Sequence, residues 1–290
     1  KQYSILKGTI IFSVITLFLI GGGSPPLFGS MLLVLSITFI FLTGINLKEG
    51  GTKELWRSLK VFVSFATGYF LINAYFILPL VYQIINKYSG VLTSIGGIEG
   101  ILAWENAINK FASYINLFRL QGIPDWYDNP LHPYSNFFLE NLILIFLSFL
   151  PILLIILGLF YYKKFNFPKE QNTLFFLIFL IFITGLIFAA GSHPPLGFIY
   201  IFLVEHVPGF AVFRSAFYKF GPTVWFSTIF LVGYFLNFFI LKYIKNLFWQ
   251  KLLGTLAIIF IVLYHFPFFS INFFEFSKPF TTKVAVPDHV

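Results

Sequence analysis

The chain has 290 residues, of which 58% are hydrophobic, 22% aromatic and only 10% charged, against roughly 25% charged residues in an ordinary soluble domain. This small number of charged side chains cannot cover the surface of a water-soluble globule of this length. We therefore expect lipid to solvate most of the chain. Cysteine is absent, which excludes disulfides, thiolate zinc sites and cysteine nucleophiles.

Seven stretches are long and apolar enough to cross a bilayer, which requires about 20 residues per helix. Leu, Ile and Phe run through them without a two-residue alternation, which indicates helices rather than strands. We therefore predict an all-α, polytopic helical membrane protein with about seven transmembrane helices and with interfacial helices in two long outer loops. In chain order the predicted spans are 8–21, 30–47, 61–85, 138–162, 172–190, 222–241 and 252–270.

The distribution of basic residues predicts the orientation. With a cytoplasmic N-terminus, twelve of the 19 Lys and Arg residues lie on the inner side, as the positive-inside rule requires. We expect an integral protein of a prokaryotic plasma membrane with its C-terminus outside. The net charge of +8 then reflects orientation, and no nucleic-acid partner is needed to explain it.

Residues 1–290 are interpreted as a single transmembrane domain with long outer loops at 86–137 and 191–221. The chain begins with Lys1 rather than Met and leaves its last span outward through residues 271–290. We therefore expect a fragment of a longer protein whose exit leads toward an extracytoplasmic domain. Long loops tend to carry function, so the chemistry is sought on the outer side.

In the first outer loop, apolar residues recur at helical spacing over 103–120, which predicts one interfacial helix. It precedes a segment rich in proline and aromatics that could cover a cavity. Trp104, Trp126 and Tyr127 can stack on an acceptor or on sugar rings. The alternative is an ordinary aromatic belt at the membrane interface.

In the second outer loop, the first half of the segment 193–222 is too short to span, so we expect it to re-enter the membrane or to lie flat, and Pro208-Gly209 predicts a sharp turn. Arg214 and Lys219 follow at headgroup depth among aromatic residues. A guanidinium there offers bidentate hydrogen bonds to phosphate, and an ammonium adds a point charge. The alternative is that both cations snorkel to lipid headgroups and anchor the next span.

Candidates for a general base on the outer side are weak, because no two carboxylates form a recognisable pair. Each carboxylate is equally compatible with a solvated or salt-bridged role. No cluster has the spacing of metal ligands, so no metal site is predicted. The weak catalytic candidates are Glu105, Asp125, Asp128 and Glu205.

Short motifs in the second half of the chain resemble bacterial GT-C-type membrane glycosyltransferases, nearest to the YfhO-like and arabinofuranosyltransferase-like families. The motifs are Val207-Pro208-Gly209-Phe210, Phe213-Arg214 and Tyr218-Lys219-Phe220, with Asn73-Ala74-Tyr75-Phe76-Ile77-Leu78-Pro79-Leu80 at the end of the third predicted span. The first half of the chain matches only loosely. The family's catalytic acid, carried in its first outer loop, has no clear counterpart here.

The resemblance implies transfer of a sugar from a polyprenyl-phosphate donor to a glycan or lipid acceptor of the cell envelope. The lipid-linked sugar is a substrate, and no cofactor is implied. By position in the motif, Arg214 and Lys219 lie nearest the lipid phosphate, and His206 is a third candidate for the same role. Membrane lipid is the remaining expected partner.

A non-enzymatic alternative stays open at this point: a subunit of a polysaccharide or lipid exporter, or a membrane scaffold. A transporter should show an ionisable or polar track across several spans, and the span interiors contain almost no ionisable residues. A scaffold should tolerate changes at Arg214 and Lys219.

Overall fold

The computed structural model describes residues 4–20, 25–79, 81–82, 96–122, 135–165 and 168–264, and within them the regular structure is helical, without a strand. The helices are α1 (Ile5–Ile20), α2 (Pro25–Ile72), α3 (Gly97–Ile108), α4 (Tyr114–Phe118), α5 (Ser135–Glu140), α6 (Leu142–Ser148), α7 (Leu150–Phe165), α8 (Lys169–Ala189), α9 (Gly197–His206), α10 (Ala216–Tyr243) and α11 (Leu247–Tyr264), with a 3₁₀ helix at Phe210–Phe213 before α10.

The described residues are helical, which confirms the predicted all-α fold, and several of the helices are long and apolar enough to cross a bilayer, which fits an integral membrane protein. The described part of the chain contains five segments with the required length and hydropathy, against the seven predicted. They are Leu33–Ile72, Leu142–Tyr162, Lys169–Ala189, Ala216–Ile240 and Leu247–Tyr264. The ends of three predicted spans, at residues 21, 83–85 and 265–270, lie outside the described residues.

Helix α2 is a hairpin whose two arms meet at Gly51. Gly51 has φ 64° and ψ −154°, a conformation that residues with a side chain rarely adopt. Across the turn, the rings of Phe39 and Phe62 stack with centroids 4.1 Å apart, and Asn46 Nδ2 donates to Ser58 Oγ at 3.0 Å. The two arms therefore lie side by side, with the predicted span 30–47 on the first arm and residues 61–72 of the predicted span 61–85 on the second.

The centre of the bundle is the antiparallel pair α8 and α10, flanked by α7 and by α2. Phe182 of α8 and Val224 of α10 are buried in their shared core. Gly185 lets the two helices approach closely, since a Cβ atom there would lie 3.2 Å from Thr223 Cγ2 and 3.3 Å from Val224 Cγ2. Small residues commonly serve this purpose between membrane helices, where close packing drives association.

The two ends of this pair differ in character. At one end, Lys169 Nζ lies 2.8 Å from Glu49 Oε1, which joins the start of α8 to the turn of the α2 hairpin. At the other end, the residues between α8 and α10 pack with α3 and α4. We call this second region the cap, and define it as residues 97–122 and 190–217.

The cap corrects the prediction of a single interfacial helix over 103–120. The structure has α3 and α4 instead, separated by residues 109–113. The break follows from local hydrogen bonding, since the Asn109 carbonyl accepts from Ala112 N–H at 2.8 Å and also faces His193. The second outer loop is also shorter than predicted, because α10 begins at Ala216 rather than near residue 222.

We expect Gly185→Leu to reduce the free energy of unfolding by about 2 kcal/mol, because overpacking a close contact displaces the neighbouring helix. The measurement is unfolding in mixed detergent micelles titrated with dodecyl sulfate. Gly233→Leu on α10 is the matched control, since a Cβ atom there meets nothing within 4 Å. Equal effects of the two substitutions would contradict the close packing of α8 on α10.

Candidate functional site

Asn109 is the hub of the cap and is only 1% exposed. Its side-chain Oδ1 accepts a hydrogen bond from Phe217 N–H at 3.0 Å, and its Nδ2 donates to the Ala189 carbonyl at 3.1 Å. Its main-chain carbonyl lies 2.5 Å from His193 Nε2. One residue thus bonds to the end of α8, to the start of α10 and to the turn that connects them.

This arrangement satisfies helix ends that lack partners of their own. The first N–H groups and the last carbonyls of a helix have no partner within that helix. Ser215, at the N-cap of α10, makes no side-chain capping bond. Asn109, at the C-terminal end of α3, supplies the acceptor that the start of α10 lacks. Its side-chain amide also donates to the last turn of α8.

Glu105 lies one turn before Asn109 on α3 and is completely buried. Its Oε1 accepts a hydrogen bond from Ser192 N–H at 3.1 Å, and the Ser192 hydroxyl donates to Asn106 Oδ1 at 2.5 Å. Within the described residues, Glu105 Oε2 has no hydrogen-bond partner. The carboxyl group is therefore enclosed by the protein rather than presented to an external substrate.

Gly191 makes room for this carboxyl group. Its φ is +57°, and a Cβ atom there would overlap Glu105 Oε1 and come within 2.7 Å of Asn109 Nδ2. A residue with a side chain would be strained at this φ as well as obstructed. The Gly191-Ser192-His193 turn therefore depends on glycine in order to wrap around Glu105.

The environment of the cap raises the pKa of Glu105. Burial raises the pKa of this carboxyl group, while the hydrogen bonds from Ser192 and the charge of His193 act in the opposite direction. Burial also raises the pKa of the Tyr200 phenol, and the nearby Glu105 charge raises it further. Tyr200 remains a donor and bonds to the Phe213 carbonyl at 2.7 Å.

Arg214 lies two residues before the start of α10 and is half-buried. Its guanidinium carbon is 5.6 Å from the centroid of the Trp104 ring, and Trp104 Nε1 donates to Ser215 Oγ at 3.3 Å. Lys219, half-buried in the first turns of α10, is close enough for its positive charge to interact with that of Arg214. The structure therefore brings together the two cations singled out in the sequence.

The three arginines of the chain differ in how their donors are used. Arg119 donates from Nε to Ser148 Oγ at 2.8 Å and from Nη2 to a main-chain carbonyl at 3.0 Å. Arg57 pairs with Glu54, with 3.6 Å between Nη1 and Oε2. The half-buried guanidinium of Arg214 has no hydrogen bond or ion pair with the described residues, which leaves its donors available to an external anion.

His206 and Glu205 lie at the end of α9, and the contacts of their side chains are within that helix. The His206 Nδ1 atom is 3.0 Å from the Phe202 carbonyl oxygen and 3.9 Å from Glu205 Oε2, and its ring stacks on Phe202. Both side chains are exposed. The predicted site residues Asp125, Trp126, Tyr127 and Asp128 lie outside the described residues.

The sequence interpretation did not identify Asn109, Gly191, Ser192 or Tyr200 as parts of the site. One available signal was the polar corner 191–193, which interrupts a long apolar stretch directly after a predicted span. Among the described residues, no group of three or more His, Asp or Glu is placed to hold a metal ion.

The chain matches no protein-family model, and no curated protein or solved structure matches it. The resemblance to membrane glycosyltransferases therefore depends on the short motifs around Arg214, Lys219 and Asn73. Asn73 is itself completely buried, and its Nδ2 donates to the Tyr69 carbonyl at 3.0 Å.

We expect Asn109→Ala to destabilise the protein by about 2–4 kcal/mol, since each buried partner left without a hydrogen bond costs about 1–3 kcal/mol. The measurement is the same unfolding titration in mixed micelles. Asn106→Ala is the control, because Asn106 is exposed on the same helix and makes one bond to Ser192. A destabilisation no larger than that of the control would exclude Asn109 as the hub.

Glu105 should make stability depend on pH with a definite sign. Because its folded-state pKa lies above the unfolded value, the folded protein binds the proton more tightly, and stability decreases as pH rises from about 4.5 through the folded-state pKa. His193 and Tyr200 face the same carboxyl group.

The test compares the melting temperature at pH 5 and pH 8 in wild type, Glu105→Gln and the control Glu99→Gln, which alters an exposed residue of α3. We expect the decrease between the two pH values to shrink in Glu105→Gln and to persist in Glu99→Gln. An unchanged decrease in Glu105→Gln would show that this carboxyl group does not titrate differently on folding.

Proposed function

We propose that this chain is the membrane part of a transferase that moves a sugar from a polyprenyl-phosphate donor to a cell-envelope acceptor. In this proposal the chain crosses the membrane seven times: through α1, the two arms of α2, the α6–α7 pair, α8, α10 and α11. The cap lies on the outer side of a prokaryotic plasma membrane, and the reaction takes place there.

The placement of basic residues supports this orientation. The hairpin turn of α2 carries Lys48 and Lys53, the start of α8 carries Lys169, and the end of α10 carries Lys242. All of these elements end opposite the cap, as the Lys169–Glu49 contact indicates. Basic residues concentrate on the cytoplasmic side of membrane proteins, so the cap belongs outside.

The observation that carries the proposal is the Arg214 guanidinium, whose donors have no protein acceptor among the described residues. Lys219 adds a second positive charge, and both lie at the N-terminus of the 28-residue helix α10, where the helix dipole favours an anion. A phosphate group is the anion whose oxygens match a guanidinium bidentately.

The surroundings of the two cations suit a charge-stabilising role in the reaction. Phe213 and Phe220, the chain neighbours of Arg214 and Lys219, belong to a group of four packed phenylalanine rings with centroids 5.1 to 6.0 Å apart; the other two are Phe188 and Phe210. Fixed cations in a partly apolar site stabilise developing negative charge more strongly than in water. Arg214 and Lys219 would thus stabilise the leaving polyprenyl phosphate.

The general base is not assigned by this proposal. Glu105 is enclosed by Ser192 and Gly191, and we infer that it holds the cap together rather than contacting an acceptor. Glu205 is exposed at the end of α9 and remains a candidate for contact with the acceptor hydroxyl. Asp125 and Asp128 remain candidates for the general base that are predicted from the sequence alone.

The proposal is tested by transfer from radiolabelled polyprenyl-phosphate sugars to envelope acceptors, with the full-length protein reconstituted in vesicles. We expect Arg214→Gln to lower turnover roughly 100-fold, the effect of removing one preorganised charge-stabilising donor, and Lys219→Gln to lower it less. Arg57→Gln, at the opposite end of the bundle, is the matched control and should leave turnover unchanged.

Unchanged turnover in Arg214→Gln would exclude the assigned role of Arg214. Absence of transfer from every donor by a well-folded protein would instead favour the exporter or scaffold function. Loss of insertion is a distinct outcome, which is checked by the amount of protein in the membrane; Gln keeps a polar side chain at this position while removing the charge.

A further inference from the structure

Trp104 differs from its neighbour Glu105 in where it lies on α3. Glu105 is completely buried, whereas Trp104 is 51% exposed. The helix therefore directs the carboxyl group into the cap and the indole group along its surface. Two consecutive residues of the segment before α10 contact this indole: Arg214 lies over the ring, and Ser215 accepts from its N–H.

The main chain at Arg214 is fixed by other contacts. The Arg214 N–H donates to the Ala211 carbonyl at 3.2 Å, and the preceding carbonyl, of Phe213, accepts from the buried Tyr200 hydroxyl. These bonds hold the Cα atom of Arg214 but leave its long side chain free to rotate. A guanidinium loses considerable rotamer entropy when it binds an anion in one geometry.

Trp104 is the group that restrains this side chain. A guanidinium over an indole is attracted by the negative face of the ring, and Trp is the strongest aromatic partner for a cation. This contact with the ring leaves the N–H donors of the guanidinium unoccupied, because they have no hydrogen bond or ion pair with the described residues. Stacking and bidentate recognition of a phosphate are therefore compatible in one arginine.

We propose that Trp104 is a positioning residue, which holds the Arg214 guanidinium over its indole ring so that the donors face a lipid-linked phosphate. This inference rests on the proposed function and assigns to Trp104 a different role from stacking on an acceptor sugar. The indole face that Arg214 covers is closed to a sugar ring.

The test measures affinity for farnesyl phosphate, and for farnesol as the uncharged probe, with the full-length protein in phosphatidylcholine nanodiscs. We expect Trp104→Leu to weaken binding of farnesyl phosphate about tenfold and to leave farnesol affinity unchanged. Trp104→Phe keeps an aromatic face and should restore most of the affinity. Trp56→Leu, an exposed tryptophan at the opposite end of the bundle, is the matched control.

Coupling with Arg214 separates positioning from a merely structural role. In an Arg214→Gln background, Trp104→Leu should weaken farnesyl phosphate binding less than twofold, because the group that it positions is gone. Equal losses in both backgrounds, or a parallel loss of farnesol affinity, would overturn the inference. So would unchanged farnesyl phosphate affinity in Trp104→Leu.

The same measurements distinguish failure of the inference from failure of the proposed function. If Arg214→Gln weakens farnesyl phosphate binding while Trp104→Leu does not, only the role of Trp104 is wrong. If the double variant Arg214→Gln, Lys219→Gln binds farnesyl phosphate as well as wild type does, the phosphate site itself is wrong, and the positioning role is wrong with it.

Discussion

The bonds of the Asn109 side chain are the constraint on which the rest of the cap depends. In a membrane protein the ends of helices still carry N–H and carbonyl groups without partners, and burying them unpaired is costly. Here the carboxamide of Asn109, the C-cap residue of α3, bonds to the last turn of α8 and to the first turn of α10. Because α8 and α10 are the central pair of the bundle, this one residue attaches the cap to the core. The positions of Glu105, Trp104 and the 190–196 turn relative to α10 follow from that attachment.

The same architecture leaves the donors of Arg214 available for an anion. Arg119 uses its donors within the protein, since it bonds Ser148 and a main-chain carbonyl. Arg214 instead contacts an aromatic ring, and its donors make no hydrogen bond with the described residues. Preorganised donors cost no reorganisation when a ligand arrives. Burial of Glu105 on the other side of α3 stabilises the scaffold without supplying an acid that would neutralise the nearby cation. The cap thus separates a carboxyl group that holds structure from a guanidinium that faces outward.

Hydropathy was sufficient to predict the helical membrane fold, because bilayer thickness sets the length of each apolar stretch. The proximity of Arg214 and Lys219 was also predictable, since they are five residues apart in one short segment. The break at Asn109 was not, because apolar spacing continues through 109–113 and the turn there is joined to His193 and Phe217, 84 and 108 residues away. Complete burial of Glu105 was not predictable from the sequence either, since it requires a glycine with positive φ at residue 191.

The most direct test of the account is photo-crosslinking of the wild-type protein with a polyprenyl phosphate that carries a diazirine next to its phosphate. Adducts are then mapped by mass spectrometry of the digested protein. The account predicts adducts concentrated on residues 210–220 and on α3, which unlabelled farnesyl phosphate displaces and farnesol does not. Adducts spread along the lipid-facing sides of the helices, or adducts that both competitors displace equally, would contradict a phosphate site at Arg214.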